Sequence, residues 1–242
     1  MVRLSLSQTI LDSIKFTFKN HLTVFGLGVI FVFLSFFDFY FDVVLKPFPI
    51  LALICILMLF FFSIIEAGIN YRIFVKSINR LNYVPLNKFK ELFHHGFIDL
   101  IITSIYGFAL VILDELFLIV FFILIQLIFL SFILDCLSLI FSTIVLVYWL
   151  FSLLNLAYND DKFLSAFNFK EINALIKNLN HSNLSCIVIL SLVTDFLLNL
   201  NLITLFPRNE LLYLWVIGID LVLTPFIVIF LKRFTAISTL EY

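Results

Sequence analysis

Two aspartates stand deep in apolar sequence, Asp195 within the run 183–206 and Asp220 within the run 211–231. An ionisable side chain inside a membrane span is costly and marks a site by default. Counted along a helix, Asp195 lies ~18 Å from the inner end of its run and Asp220 ~14 Å from the outer end of its own, so both fall near the midplane of a ~30 Å hydrocarbon core. Asp195 shares a helical stripe with Ser191 and Asn199, and Asp220 shares one with Thr224, beside Pro225. No Lys, Arg or His within the apolar runs stands ready to neutralise either acid. Two carboxyls at one depth repel when both ionise, so one is protonated or a cation binds. Asp195, Asp220, Asn199 and Thr224 therefore form a candidate proton or cation site. The plainer alternative is a protonated Asp that joins helices by hydrogen bonds.

Other charged groups fall at the edges of the runs. Glu66 and Arg72 mark the inner end of the second run and read as an anchoring ion pair, while Lys170 and Lys177 read as interfacial anchors of a later segment. Asp38 and Asp42 sit among Phe36, Phe37, Phe39, Tyr40 and Phe41, an aromatic belt with solvated acids. The four histidines, His21, His94, His95 and His181, all lie where a polar segment meets a run. Their expected role is that of polar groups at a boundary; convergence on a metal is the lesser alternative, and no metal site is expected. GxGxxG, P-loop, HExxH, GxSxG and zinc spacings are all missing, so neither a catalytic residue nor a cofactor is expected. Cys55, Cys136 and Cys186 have no paired spacing and read as reduced packing residues.

The elements that must position these groups are membrane spans. The chain is 63% hydrophobic and 13% charged, with mean hydropathy +1.18. Leu116 to Leu134 carries no charge at all, which is long enough to cross a bilayer. Net charge is −1, so no basic field invites nucleic acid. Thirteen of the 15 Lys and Arg lie in four stretches: the N-terminus, 72–90, 162–177, and Lys232 with Arg233. Basic residues stay on the cytoplasmic side. An even number of spans therefore separates successive stretches, and both termini are cytoplasmic. Two spans within 97–157 keep the charge division at thirteen to two, whereas three would make it nine to six. The sequence thus predicts an all-α, polytopic protein of the cell membrane, with six transmembrane helices as three hairpins. No cleavable signal peptide is expected.

Each hairpin follows an amphipathic segment: Leu6, Ile10, Ile14 and Phe18; then Leu86, Phe89 and Phe93; then Phe169, Ile172, Ile176 and Leu179. Each stripe suits a helix lying in the interface plane. Residues 88–92 and 168–172 are alike and 80 apart, and Pro47 and Pro207 are twice that apart. The chain reads as a single membrane domain, 1–242, with internal repeats 1–80, 81–160 and 161–242.

The run Glu66-Ala67-Gly68-Ile69-Asn70-Tyr71-Arg72, then Val84-Pro85-Leu86-Asn87-Lys88-Phe89, Gly96 and Ile105-Tyr106, resembles a family of multi-pass membrane proteins of unknown function found mainly in methanogenic archaea. Ala166 to Ile172 is similar to that family's second cytoplasmic helix. Asn70-Tyr71 stands where the family would have Gly-Tyr. The resemblance implies the architecture and no chemistry. The expected function is non-enzymatic: a scaffold, an assembly factor or a lipid-interacting module, with the lipid bilayer as partner and no protein partner indicated. The alternative is a small-solute or ion transporter built on Asp195 and Asp220.

Overall fold

A computed structural model describes residues 5–40, 48–124, 128–198 and 217–240. Every regular element among them is helical: α1 (Leu6–Lys19), α2 (His21–Tyr40), α3 (Pro49–Ile78), α4 (Phe89–Leu124), α5 (Ile128–Tyr158), α6 (Phe169–Lys177), α7 (His181–Leu198) and α8 (Thr224–Thr239). A 3-10 turn, Phe163–Phe167, precedes α6, and a π turn, Ile219–Leu223, leads into α8.

Among the described residues α3, α4, α5 and the π turn with α8 are long and apolar enough to cross a membrane. The pair α1 and α2, bent by 76°, makes a fifth candidate, while α7 contributes a shorter apolar segment, His181–Thr194. The stretch 97–157 holds two long helices, with 125–127 between them outside the described residues. At 36 residues α4 spans ~54 Å, well beyond a hydrocarbon core. The N-terminal part of α3 exposes Ile50, Leu53, Leu57 and Phe60, a contiguous apolar face of the kind that meets lipid.

α8 occupies the centre. Val228, Ile229, Leu231, Phe234, Ala236 and Ile237 are all buried, so the helix is enclosed around its circumference. One core joins α3, α4, α5, α6 and α7 to α8 through Phe74, Ile102, Leu150, Ile172, Ile187 and Phe234. A second joins α1, α2, α3 and α4 to it through Phe16, Leu27, Ile73, Leu92 and Ile229.

Helix α3 crosses α4 where both have glycine. A Cβ on Gly96 would sit 1.9 Å from the carbonyl oxygen of Ile64, and one on Gly68 would sit 2.2 Å from that of Leu92. Small residues are what allow two apolar helices to approach this closely. Gly28 of α2 meets the π turn in the same way, since a Cβ there would sit 1.9 Å from the carbonyl oxygen of Leu221. Pro225 follows that turn and supplies no N–H to it.

The amphipathic segments fare differently. α1 is a separate helix, opened by a capping box of Ser5 and Gln8, but the face it buries differs from the predicted stripe. Thr9, Ser13 and Thr17, with Phe16, are buried, whereas Leu6, Ile10 and Ile14 are half-buried and Phe18 is exposed. The hydroxyls of Thr9, Ser13 and Thr17 donate to the carbonyls of Ser5, Thr9 and Ser13 at 3.1, 2.8 and 2.8 Å. Satisfied within their own helix, these small side chains let α1 lie close against α8. The second segment is not a helix of its own: Phe89 and Phe93 belong to the first turns of α4, which continues without a break. The third is the separate α6, packed through Ile172 onto α5, with Lys170 and Lys177 exposed. Among the described residues each core draws on helices from more than one of the segments 1–80, 81–160 and 161–242.

Candidate functional site

The polar groups gather toward one end of the bundle. Lys232 is 3% exposed and lies within the apolar span that ends at Thr239. Lys232 and Arg233, expected as a charged flank, are thus part of the packed bundle. They turn to opposite sides of α8. Arg233 Nε donates to Asp12 Oδ2 of α1 at 2.8 Å and Nη1 to the carbonyl of Leu81 at 3.2 Å, with the guanidinium 4.4 Å from the Phe16 ring centre. Lys232 Nζ instead lies 5.4 Å from the Phe74 ring centre and 5.7 Å from that of Trp149. No direct hydrogen bond or ion pair reaches its ammonium among the described residues.

Two carboxylates act on Lys232 from neighbouring helices, Glu66 of α3 and Asp99 of α4. Asp99 is 2% exposed. Its Oδ1 accepts from Thr103 Oγ1 at 3.0 Å, and Thr103 accepts in turn from Trp149 Nε1 at 3.0 Å. Glu66 Oε1 accepts from Asn70 Nδ2 at 2.9 Å. The glycine crossing brings the two acids together, since Glu66 lies just before Gly68 and Asp99 just after Gly96. Glu66, Asn70, Ser191, Thr194 and Lys232 line a cavity of about 80 Å³. Asn70 Oδ1 and Ser191 Oγ are buried there without a hydrogen-bond partner.

Glu66 thus does not pair with Arg72. The Arg72 guanidinium, on the next turn, donates to the carbonyls of Pro85 and Asn87 through Nη1 at 2.8 and 2.7 Å, and to that of Lys88 through Nη2 at 2.7 Å. It holds the loop that enters α4. Lys88 in that loop has φ +66° and pairs with Glu91 at 3.1 Å.

Further tethers fix the other loops at this end. Asn20, at the bend between α1 and α2, donates to Phe16 O at 2.8 Å and to Asn82 O at 3.3 Å, and accepts from Val84 N at 2.8 Å. Asn155 donates to Ser165 O at 2.8 Å and to Glu171 Oε2 at 3.1 Å, docking the segment that leads into α6. Asp160 and Asp161 both take positive φ after α5, a backbone that Asp tolerates better than most residues. There Asp161 accepts a hydrogen bond from the Tyr71 hydroxyl and faces His95 Nε2 at 3.0 Å.

The His95 contact, then the Tyr71 hydroxyl, hold the Asp161 carboxyl below the usual carboxylate range. A carboxyl lowered on folding adds stability that is present above its unfolded value near ~4 and is lost as pH falls through the lowered one. Asp161→Asn is therefore expected to lower the melting temperature at pH 6, with the gap to wild type closing as pH falls below ~4. Melting curves across that range measure it, and a gap independent of pH would contradict the assignment.

Of the predicted acid site, Asp220 is in the described residues and buried in the π turn, where Ser35 Oγ of α2 donates to its Oδ2 at 2.9 Å. Thr224 is buried one turn on. Asp195 lies in α7, but its side chain, like the whole of Asn199, falls outside the described residues. The histidines face different ways: His21 and His181 are exposed, and His95 turns to Asp161.

The sequence reading missed the Lys232 cluster. The signal that existed was Asp99, an acid in an apolar run with His95 and Thr103 one turn to either side. No family model, curated protein or solved structure matches this chain.

Proposed function

We propose that the chain is a non-enzymatic, multi-pass protein of the cell membrane, a scaffold or assembly module that engages lipid at its cytoplasmic end, and that it belongs with the methanogen family it resembles. In this reading α2, α3, α4, α5, α7 and α8 each cross the bilayer and both termini are inside. One observation carries it. At one end of the bundle Arg72, Arg233, Asn20, Asn155 and the pair Tyr71 and His95 each tie down a loop or a short helix. These ties hold α6 in place with Lys170 and Lys177 exposed, beside exposed Leu164 and Phe169. A fixed surface with cations over an apolar rim suits anionic headgroups and the acyl boundary below them.

The test is thermal stability in nanodiscs of phosphatidylglycerol against phosphatidylcholine. The anionic lipid is expected to raise the melting temperature of the wild type, and Lys170→Glu with Lys177→Glu to remove that gain. Equal melting temperatures in both lipids would defeat the lipid reading. For the orientation, a reporter active on one side only is fused after Asp160 and, separately, after Tyr242. Both fusions are expected to report the cytoplasm; opposite sides would refute the six-span layout.

A second reading, a small-solute or ion transporter, draws support from Asp220 and from the polar cavity beside Lys232. It requires flux into liposomes that Asp220→Asn abolishes without loss of folded protein.

A further inference from the structure

We propose that the chamber lined by Glu66 and Lys232, with Asp99 on the neighbouring helix, binds one monovalent cation, either a proton or an alkali-metal ion. This concerns binding inside the bundle and stands whether or not the protein engages lipid or moves a cargo.

The charges of this cluster do not balance within its low-dielectric surroundings. Two carboxylates face one ammonium, so the fully ionised cluster holds one negative charge in excess. Asp99 and Lys232 are 2% and 3% exposed and Glu66 is half-buried, and the charged groups next to them along the chain are engaged elsewhere. Arg233, next in sequence, is engaged by Asp12. On α4, His95 lies one turn before Asp99 but contacts Asp161. Tyr71 of α3 also gives its hydroxyl to Asp161. An unbalanced charge in such a place draws in a counter-charge or a proton.

The cavity offers the place for it. Its volume of about 80 Å³ exceeds the space one water requires. Asn70 and Ser191 are 6% and 7% exposed, and each presents an oxygen with no protein partner. Thr194 donates its own hydroxyl hydrogen to Leu190 O at 2.8 Å, which leaves its oxygen lone pairs free to accept. With the Glu66 carboxylate, these make four oxygens around one small space. The ammonium of Lys232 has three donors and no protein acceptor, so water or a carboxylate turned toward it completes its shell. A proton would sit on Glu66 or Asp99, its partner remaining ionised beside Lys232. An alkali ion would take the four oxygens and leave both acids ionised.

The test uses the full chain in nanodiscs at pH 7, wild type against Glu66→Gln, Asp99→Asn and Lys232→Met. In choline buffer, infrared spectra report the C=O stretch of protonated carboxyls. The proton form predicts that wild type exceeds each single amide variant by one carboxyl, because one carboxylate then balances one ammonium. Lys232→Met should add a second protonated carboxyl. The alkali form predicts no such band difference, and instead a melting temperature raised by sodium or potassium over choline in wild type and unmoved in both amide variants. Asp195 and Asp220 are common to all four proteins and cancel in the comparison. If one amide variant fails to fold, the other carries the test alone. Wild type and amide variants alike in both readouts would overturn the proposal.

Discussion

Gly96→Val is expected to prevent stable folding, while Gly107→Ala in the same helix leaves the protein as stable as before or slightly more so. The two glycines differ in what surrounds them. A Cβ at Gly96 would lie 1.9 Å from Ile64 O and 2.9 Å from Gly68 N, both backbone atoms of α3, whereas a Cβ at Gly107 meets nothing within 4 Å. A flexible side chain can swing aside, but a helix backbone moves only as a body. Overpacking ordinarily costs about 1–3 kcal/mol, and a clash against backbone with a branched side chain belongs at or above the upper end. Gly107→Ala instead removes the cost of about 1 kcal/mol that glycine imposes on a helix interior. Gly68→Ala and Gly28→Ala should fall between these limits, since their added atoms also meet carbonyl oxygens, at 2.2 and 1.9 Å. Melting temperatures in one detergent, with the folded fraction from size exclusion, rank the four variants. If Gly96→Val proved as harmless as Gly107→Ala, the close crossing of α3 and α4 would be wrong, and with it the approach of Glu66 to Asp99.

Much of the helical layout is legible because hydropathy is a local property. The apolar runs became α2, α3, α4, α5, α7 and α8, and the stripe around Ile172 became α6. What was not legible depends on which helix lies beside which. Lys232 precedes the end of its helix by only two turns and adjoins Arg233, the pattern of a cytoplasmic flank. It is buried because α8 runs through the packed bundle, where its ammonium lies over Phe74 of α3 and Trp149 of α5, while Arg233 on the other side pairs with Asp12, more than 200 residues away in the chain. Likewise Glu66 and Arg72 are near neighbours in sequence, but Arg72 finds three carbonyls of the loop at 85–88. Thr9, Ser13 and Thr17 lie off the apolar stripe of α1 and are nevertheless buried, because their hydroxyls are satisfied within the helix. Gly68 and Gly96 enter the sequence reading only through the family resemblance, and spacing alone does not say that they face each other.

Arg72→Lys is expected to destabilise the protein by about 2–4 kcal/mol although it keeps the charge, since hydrogen bonds from a charged donor contribute about 1.5–3 kcal/mol each and are not additive. Arg72 is 5% exposed, and its guanidinium forks across the carbonyls of Pro85, Asn87 and Lys88 at 2.7–2.8 Å. A lysine ammonium is a point donor on a flexible stem and cannot span that fork. It can reach one carbonyl and leaves the others without a donor, where α4 begins. The variant should melt earlier and be cut faster by protease within 79–88. Glu66→Gln decides between this account and the ion pair that the sequence suggested. If Arg72 anchored Glu66, the two substitutions would overlap, and the double variant would lose less than the sum. With Arg72 on the loop and Glu66 on Asn70 and the Lys232 chamber, they touch different partners and their costs should add within about 0.5 kcal/mol. A coupling well beyond that, together with a tolerated Arg72→Lys, would return Arg72 to the membrane boundary as a simple charge and leave the loop held by something else.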